Sequence, residues 1–496
     1  MPTRSRTASP SSSPPRLNEG GSDVTSIEHD PAEAAQAASA DAAGRERRGE
    51  NGSAMPMPFV NPAISSVGTP AHSDDEALLE GIERAAIGYF LHRVNPANGL
   101  IPDTSRDGSP CSIAVVGFAL SVYPVAVERG WMSREEAVAN SVAALRFFRD
   151  SDHSGGPEAT GYKGFYYHFL DMHGGVRVWH SELSMIDTAL LLAGALTAAS
   201  YFSANTTDGI ELRELVETLY RRVDWCWAQD GKATIRQGWK PECGFLNYGW
   251  DGYNEGIVLY ALALGSPTHS IANDHYEAWT VTYQWENLYG HDFLYAGPLF
   301  IHQFSHAWID FRGIQDRFMR EKRCDYFENS RRATEVQREY ARRNPHRFAG
   351  YDEDCWGLTA CDGPGNELPG LANVTRRLFG YAARGVPYGP DDGTLSGWAA
   401  LASLPFAPEI ALRAVRTMLQ RYPEMLPSRQ YVSGFNPSLA SADRGVWVSE
   451  GHFGLDQGIV AMMIENHRSG LIWRLMRGCP YIVNGLRRAG FRGGWL

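Results

Sequence analysis

A chain of 496 residues with 43% hydrophobic and 21% charged residues has enough apolar material for a large buried core and an ordinary globular composition. Its 46 Lys and Arg stand against 57 Asp and Glu, a net charge of −11, which disfavours nucleic acid and anionic membrane as partners and leaves a neutral or polar ligand as the better fit. No apolar run approaches the ~18–20 residues needed to span a bilayer, so no membrane span is expected.

Residues 1–75 are rich in Ser, Pro, Ala and Gly and poor in large apolar side chains. Such a segment cannot offset the entropy of ordering, and a disordered tail is expected ahead of one domain over 76–496. Arg47 and Arg48 form a pair, but no apolar stretch of a secretory or twin-arginine signal follows, so a cytoplasmic location is the default expectation. Beyond the tail, Asp74 and Asp75 precede an apolar-periodic segment reaching Arg93, and Ser133 with Glu136 has the spacing of a capping box opening a helix to Asp150. Further helices are expected over 182–203, 209–227, 254–264, 272–285, 303–311, 326–343, 394–403, 408–421 and 455–467. Strand alternation is scarce, with Val176–Trp179 and Tyr431–Gly434 as the candidates.

Long Gly- and aromatic-rich segments separate the helices, among them 161–171, 238–254, 351–369, 386–394 and 433–454. Loops of that length inside a compact domain usually serve function. An all-α (α/α)6 toroid, a double ring of helices with long loops over one end, suits this alternation. The seven cysteines are scattered without a CxxC pair, so free thiols are expected, with a disulfide open only for Cys355 and Cys361. No nucleotide or nucleophile-elbow motif is present, and no cofactor or metal is expected.

Cleavage of a glycosidic bond requires two carboxyl groups, and aromatic faces stack on sugar rings, so acidic residues in aromatic-rich loops are the candidates. Glu182 and Asp187 lie near the positive end of a helix, where charge compensation explains either residue as well as catalysis does. Glu255, between Trp250, Asp251, Tyr253 and an apolar helix, has surroundings that favour the protonated carboxyl a general acid needs. His302 and His306 share a helix face beside Gln303, a spacing also used for zinc, but no third ligand is evident. Asp362 follows Trp356 in a loop where turn formation competes with binding. Asp456, nine residues after Trp447, is expected to cap the following helix and to serve equally as a base.

The stretches Gly164–Asp171, Glu182–Leu192, Pro298–Arg312, Trp356–Pro364, Asp391–Leu404 and Asp456–Leu471, taken in order, resemble the glycoamylase-like family, which includes bacterial endo-β-1,2-glucanases and proteins of cyclic β-1,2-glucan metabolism. The likeness runs from about residue 76 to 480. It implies an (α/α)6 barrel and inverting hydrolysis of β-1,2-glucan. Glu255 would be the general acid, Asp456 the general base, and Glu182 and Asp187 further acidic residues of the catalytic set. Tyr167, His168, Trp250, Asp251, His302, Gln303, His306, Trp356, Asp362, Asp391, Asp392 and Trp447 are the expected substrate contacts. The chain departs from the family at Ile459, where Pro is common, and at Ser184, where the glucanases tend to carry Asp. A glucan-binding protein without turnover and a transglycosylase are the alternatives to a hydrolase.

Overall fold

The computed structural model describes residues 70–203, 206–365, 377–441 and 445–496; the expected tail therefore lies outside the described residues, except for its last few positions. Helix α1 (Pro70–Arg93) leads into α2 (Ile113–Glu128), α3 (Arg134–Asp150) into α4 (Met185–Tyr201), and α5 (Thr207–Arg222) into α6 (Ile257–Gly265). Helix α7 (Asp274–Thr280) leads into α8 (Phe304–Trp308), and the short α9 (Arg317–Lys322) and long α10 (Tyr326–Arg343) into α11 (Gly397–Ala402). Helix α12 (Pro408–Arg421) leads into α13 (Gly454–Arg468), followed by α14 (Leu471–Arg477) and α15 (Pro480–Arg488). None of the described helices is long and apolar enough to cross a membrane.

Two kinds of helix alternate. In α2, α4, α6, α8, α11 and α13 almost every residue is buried, whichever way it faces. The helices between them are amphipathic. Helix α12 buries Ala411, Ala414, Val415 and Met418, the i, i+3, i+4, i+7 stripe of a helix with one wet face. The buried helices pack side by side, α2 on α4, α4 on α6, α6 on α8, α8 and α11 on α13, and α13 back on α2. Gln303 ties α8 to α11, its Nε2 donating to the Ala399 carbonyl at 2.7 Å and to Ser403 Oγ at 2.9 Å. On the outside, α1 lies against α13 and joins the first outer helix to the last inner one. The result is the (α/α)6 toroid.

Glycine sets the closest approach within the inner ring. A Cβ on Gly194 would fall 1.9 Å from the Gly117 carbonyl oxygen, and one on Gly117 would fall 2.4 Å from that of Leu190. Helices α2 and α4 therefore meet backbone to backbone, with no flexible side chain to give way.

Several expectations hold locally. Ser133 and Glu136 form a full capping box at α3, and all seven cysteines are free, Cys355 and Cys361 included. Other expectations need correction. Helix α2 was not anticipated, because it carries Pro124 and is buried on all sides, which leaves no amphipathic period to detect. Val176–Trp179 forms only an isolated bridge from Arg177 to Leu170, and Tyr431–Gly434 precedes the hairpin Phe435–Ser441/Gly445–Val448. The main sheet instead joins antiparallel pieces too short to show alternation: β1 (Gly161–Tyr162), β2 (Phe165–Tyr167), β3 (Leu183–Ser184), β4 (Gly238–Lys240) and β5 (Gly244–Phe245), in spatial order 1-2-3-4-5.

Gly194→Ala should destabilise the fold by about 3 kcal/mol in chemical denaturation, because neither backbone can retreat without loosening the ring. A variant as stable as the parent would show that α2 and α4 can separate freely.

Candidate active site

The inner helices run parallel, so their N-terminal ends gather at one mouth. Gly458, early in α13, meets the Phe118 ring early in α2. Ser305, at the start of α8, receives the Val258 N–H of α6 at 3.1 Å and donates to the Glu255 carbonyl at 2.5 Å. Carboxylates placed at these starts are brought to one end of the ring, at the positive ends of the helices.

Glu255 sits two residues before α6. Asn254 Oδ1 accepts from the Gly256 N–H at 2.9 Å, and with Ser305 this fixes the backbone around it. The residue as a whole is half-buried. Burial raises its pKa to about 7; its own backbone N–H pulls the other way and the nearby charge of Asp187 adds to the rise.

Asp187 lies in the first turn of α4. The N-cap Ser184 hydroxyl accepts from the Asp187 N–H at 3.2 Å and donates to Asp187 Oδ2 at 2.5 Å. Ser184 thus orients the carboxylate it caps. The sheet brings in His168: β2 pairs Tyr167 with Leu183 of β3, and the His168 N–H donates to the Glu182 carbonyl at 2.9 Å. The His168 ring then spans two acids, with Nδ1 3.1 Å from Glu182 Oε1 and Nε2 3.5 Å from Asp187 Oδ2. Burial raises the Glu182 carboxyl, but the hydrogen bond and charge of His168 outweigh it and hold it below the usual carboxylate range.

Asp456 is not the cap of α13. Phe453 occupies that position, and Asp456 is in the first turn, buried, with Oδ2 lacking a hydrogen-bond partner among the described residues. Burial holds its pKa well above the usual range; the Ser433 hydroxyl opposes this, and the charges of Asp103 and Asp362 add to it. Asp362 is bound by the Arg106 guanidinium, which lies 5.2 Å over the Phe453 ring. The Tyr381 ring also stacks on that of Phe453, at 6.3 Å and 27°.

Asp103 was missed by sequence reasoning. It precedes an all-apolar helix across a Gly, Ser and Pro-rich loop, much as Glu255 precedes α6, and that signal was available. Burial raises its pKa to about 6, with His168 and Arg106 lowering it and Asp187 raising it. The acids lie in a line: the charge of Asp187 raises Glu255 and Asp103, and those of Asp103 and Asp362 raise Asp456.

The remaining expected contacts separate into cleft and framework. Tyr167 is fully buried, its hydroxyl donating to the carbonyls of Gly155 and Gly156 and its ring under Arg177. His302 and His306 are buried, with Nε2 of His302 3.1 Å from the Ala296 carbonyl and Nε2 of His306 3.0 Å from Ser330 Oγ. Desolvation lowers them to about 4 and about 3, which keeps both rings neutral. Gln303 is the strut between α8 and α11 already described. Trp250 and Trp356 are core side chains. Asp391 accepts from the hydroxyls of Tyr340 and Tyr351, and Asp392 forms a fully buried ion pair with Arg384 at 2.8 Å. Asp251 is exposed, and Trp447 is half-buried in the hairpin opposite Asn436.

One aromatic platform was also passed over. Trp179 is 57% exposed, with its ring 5.0 Å from Phe169, which itself stacks on His168. Trp179 and His180 both take left-handed φ, at 57° and 50°. Arg177 secures that turn by donating to the carbonyls of Ser181 and His180 and pairing with Glu242 at 2.6 Å.

A double ring of helices with a carboxylate-lined mouth at the N-terminal ends of its inner ring is a glycosidase-type (α/α)6 scaffold. Residues 247–480 match the model of the Glycoamylase family, described as "Putative glucoamylase". Over 453 residues the chain is 26% identical to an exo beta-1,2-glucooligosaccharide sophorohydrolase (non-reducing end) from Parabacteroides distasonis. That match covers 84% of this chain and 58% of the relative, so the chain spans less than two thirds of its length. The endo-beta-1,2-glucanase from Chitinophaga pinensis, solved with sophorotriose and glucose, is similar with a TM-score of 0.73 at 26% identity, covering 85% of this chain and 99% of that one. The endo-beta-1,2-glucanase from Talaromyces funiculosus, solved with sophorose, shares the fold, with a TM-score of 0.57 at 11% identity over 82% of this chain and 86% of its own.

Glu255 offers a pH test of the site. A carboxyl raised from 4.5 to about 7 binds its proton more tightly folded than unfolded. Its contribution to stability is full below pH 4.5 and is lost as pH rises through 7. Relative to the parent, Glu255→Gln should therefore gain about 1–3 kcal/mol of stability between acid and mildly alkaline pH in paired denaturation experiments. A pH-independent difference would mean that the carboxyl is well solvated.

Proposed function

We propose that this protein is a glycoside hydrolase acting on β-1,2-glucan by inversion, with Glu255 as general acid and Asp456 as general base. The observation that carries the reading is Glu255: an acid fixed beside the start of an inner helix, only half-buried, with its pKa raised to about 7 by desolvation. The P. distasonis and C. pinensis relatives, named for β-1,2-linked substrates, support the linkage.

In this reaction Glu255 gives its proton to the glycosidic oxygen as the bond from that oxygen to the anomeric carbon breaks. Water attacks the same carbon from the opposite face, forming the new C–O bond, and its proton passes to Asp456. Inversion requires the two carboxyls to stand about 6.5–9.5 Å apart, leaving room for that water. Asp187, oriented by Ser184 and bridged through His168 to Glu182, holds negative charge near the sugar, where an oxocarbenium-like transition state gains from it. Trp179 offers an exposed face for stacking a glucosyl ring at the edge of the cleft. Tyr167, His302, His306, Gln303, Trp356, Asp391 and Asp392 shape the wall, while Asp362 and His168 line the opening with Trp250 as backing. Asp251 and Trp447 lie on more peripheral loops.

Incubation of the full chain with linear β-1,2-glucan should release short oligosaccharides, and Glu255→Gln should lower kcat by about 10²- to 10⁴-fold. The anomer released first, followed by proton NMR, should be α. Binding without cleavage would replace the hydrolase reading with that of a glucan-binding protein, and a β anomer would exclude inversion.

A further inference from the structure

Asp103 is held more firmly than a loop aspartate needs to be. Its N–H donates to the Pro110 carbonyl and its carbonyl accepts from the Gly454 N–H, each at 2.7 Å. Bridges from Pro102 to Cys111 and from Thr104 to Phe453 flank it, and the Ser105 N–H donates to the His452 carbonyl at 2.8 Å. The segment is thereby riveted between the start of α2 and the start of α13. Asp456 is the third residue of α13, so the same backbone bonds that fix Asp103 also fix its position relative to Asp456.

Despite that anchoring, the Asp103 carboxylate accepts no hydrogen bond from the described side chains, and the residue is half-buried. A structural aspartate would be expected to cap or pair, as Asp391 and Asp392 do. Its charged neighbours are His168, Arg106, Asp187 and Asp456, with the Tyr89 and Tyr381 hydroxyls and the buried Cys111 thiol behind them. Asp456 presents the complementary anomaly, a buried carboxyl oxygen with no partner among the described residues.

We propose that Asp103 is a third catalytic carboxylate, which forms with Asp456 the pair that holds and deprotonates the attacking water. This rests on the hydrolase reading above and adds a residue to it. A nucleophilic water has two protons and is best oriented by two acceptors, one taking a proton as the C–O bond forms and the other keeping its hydrogen bond. Crowding two carboxyls favours a state in which they hold one charge and one proton between them. In the state with the shared proton on Asp103, the water's proton goes to the charged Asp456, and the pair returns it to solvent after the product leaves.

The test has two arms on the full chain. In the first, ¹³C-carboxyl NMR of aspartate-labelled protein follows the titration of Asp456 in the parent and in Asp103→Asn. Removing the like charge should lower the pKa of Asp456 and collapse a coupled two-step titration into one step. In the second, Asp103→Asn should lower kcat on β-1,2-glucan by about 10²- to 10⁴-fold with KM little changed, and shift the acidic limb of the pH–rate profile to lower pH. Asp103→Ser should do the same without risk of steric clash, and added formate should partly restore its rate. An Asp456 titration indifferent to Asp103, or a kcat within about threefold of the parent, overturns the proposal. A parent inactive on every β-1,2-glucan defeats the functional reading instead, and the NMR arm still decides whether the two acids are a pair.

Discussion

The parallel arrangement of the six inner helices is the constraint on which the rest depends. Parallel helices put all their N-terminal ends at one opening, so residues scattered from Asp103 to Asp456 in the chain become neighbours in space. The arrangement is made possible by backbone contact. Gly117 and Gly194 let α2 and α4 touch along their lengths, and Gly458 lets α13 settle on the Phe118 ring. Side chains at those points would widen the ring and separate the acids it gathers.

Two opposing effects then set the protonation of the mouth. Helix N-termini stabilise negative charge, while burial and crowding of like charge disfavour it. Burial wins at Glu255 and Asp456, which bind their protons more tightly than in solution. At Glu182 the His168 ring reverses the outcome. The cleft can thus hold protonated and ionised carboxyls side by side at one pH, which is what acid and base roles in a single step require.

The outer helices were legible because each has a wet face and a dry one, as in α12. Five of the six inner helices, those within 182–203, 254–264, 303–311, 394–403 and 455–467, were also legible as apolar runs entered from polar or Gly-rich loops. Helix α2, apolar throughout, left no period to read. Glu255 and Asp187 stood out as acids beside apolar helices, and Asp103 carries the same mark but is screened by the loop that separates it from α2. His302, Gln303 and His306 are the opposite case. Their polar types suggest sugar contacts, whereas the Nε2 atom of each meets Ala296, Ser330, Ala399 or Ser403 inside the buried wall. Polarity on an inner helix cannot by itself distinguish a ligand contact from a buried strut, because both place hydrogen-bonding atoms at the same helical positions.

A crystal structure of the Glu255→Gln variant bound to a linear β-1,2-glucan oligosaccharide would test the account most directly. The account predicts the side chain at position 255 within hydrogen-bonding distance of a glycosidic oxygen, and a water on the opposite face of the sugar between Asp103 and Asp456. An oligosaccharide bound away from the inner-helix mouth, or one whose scissile bond lies out of reach of position 255, would contradict it.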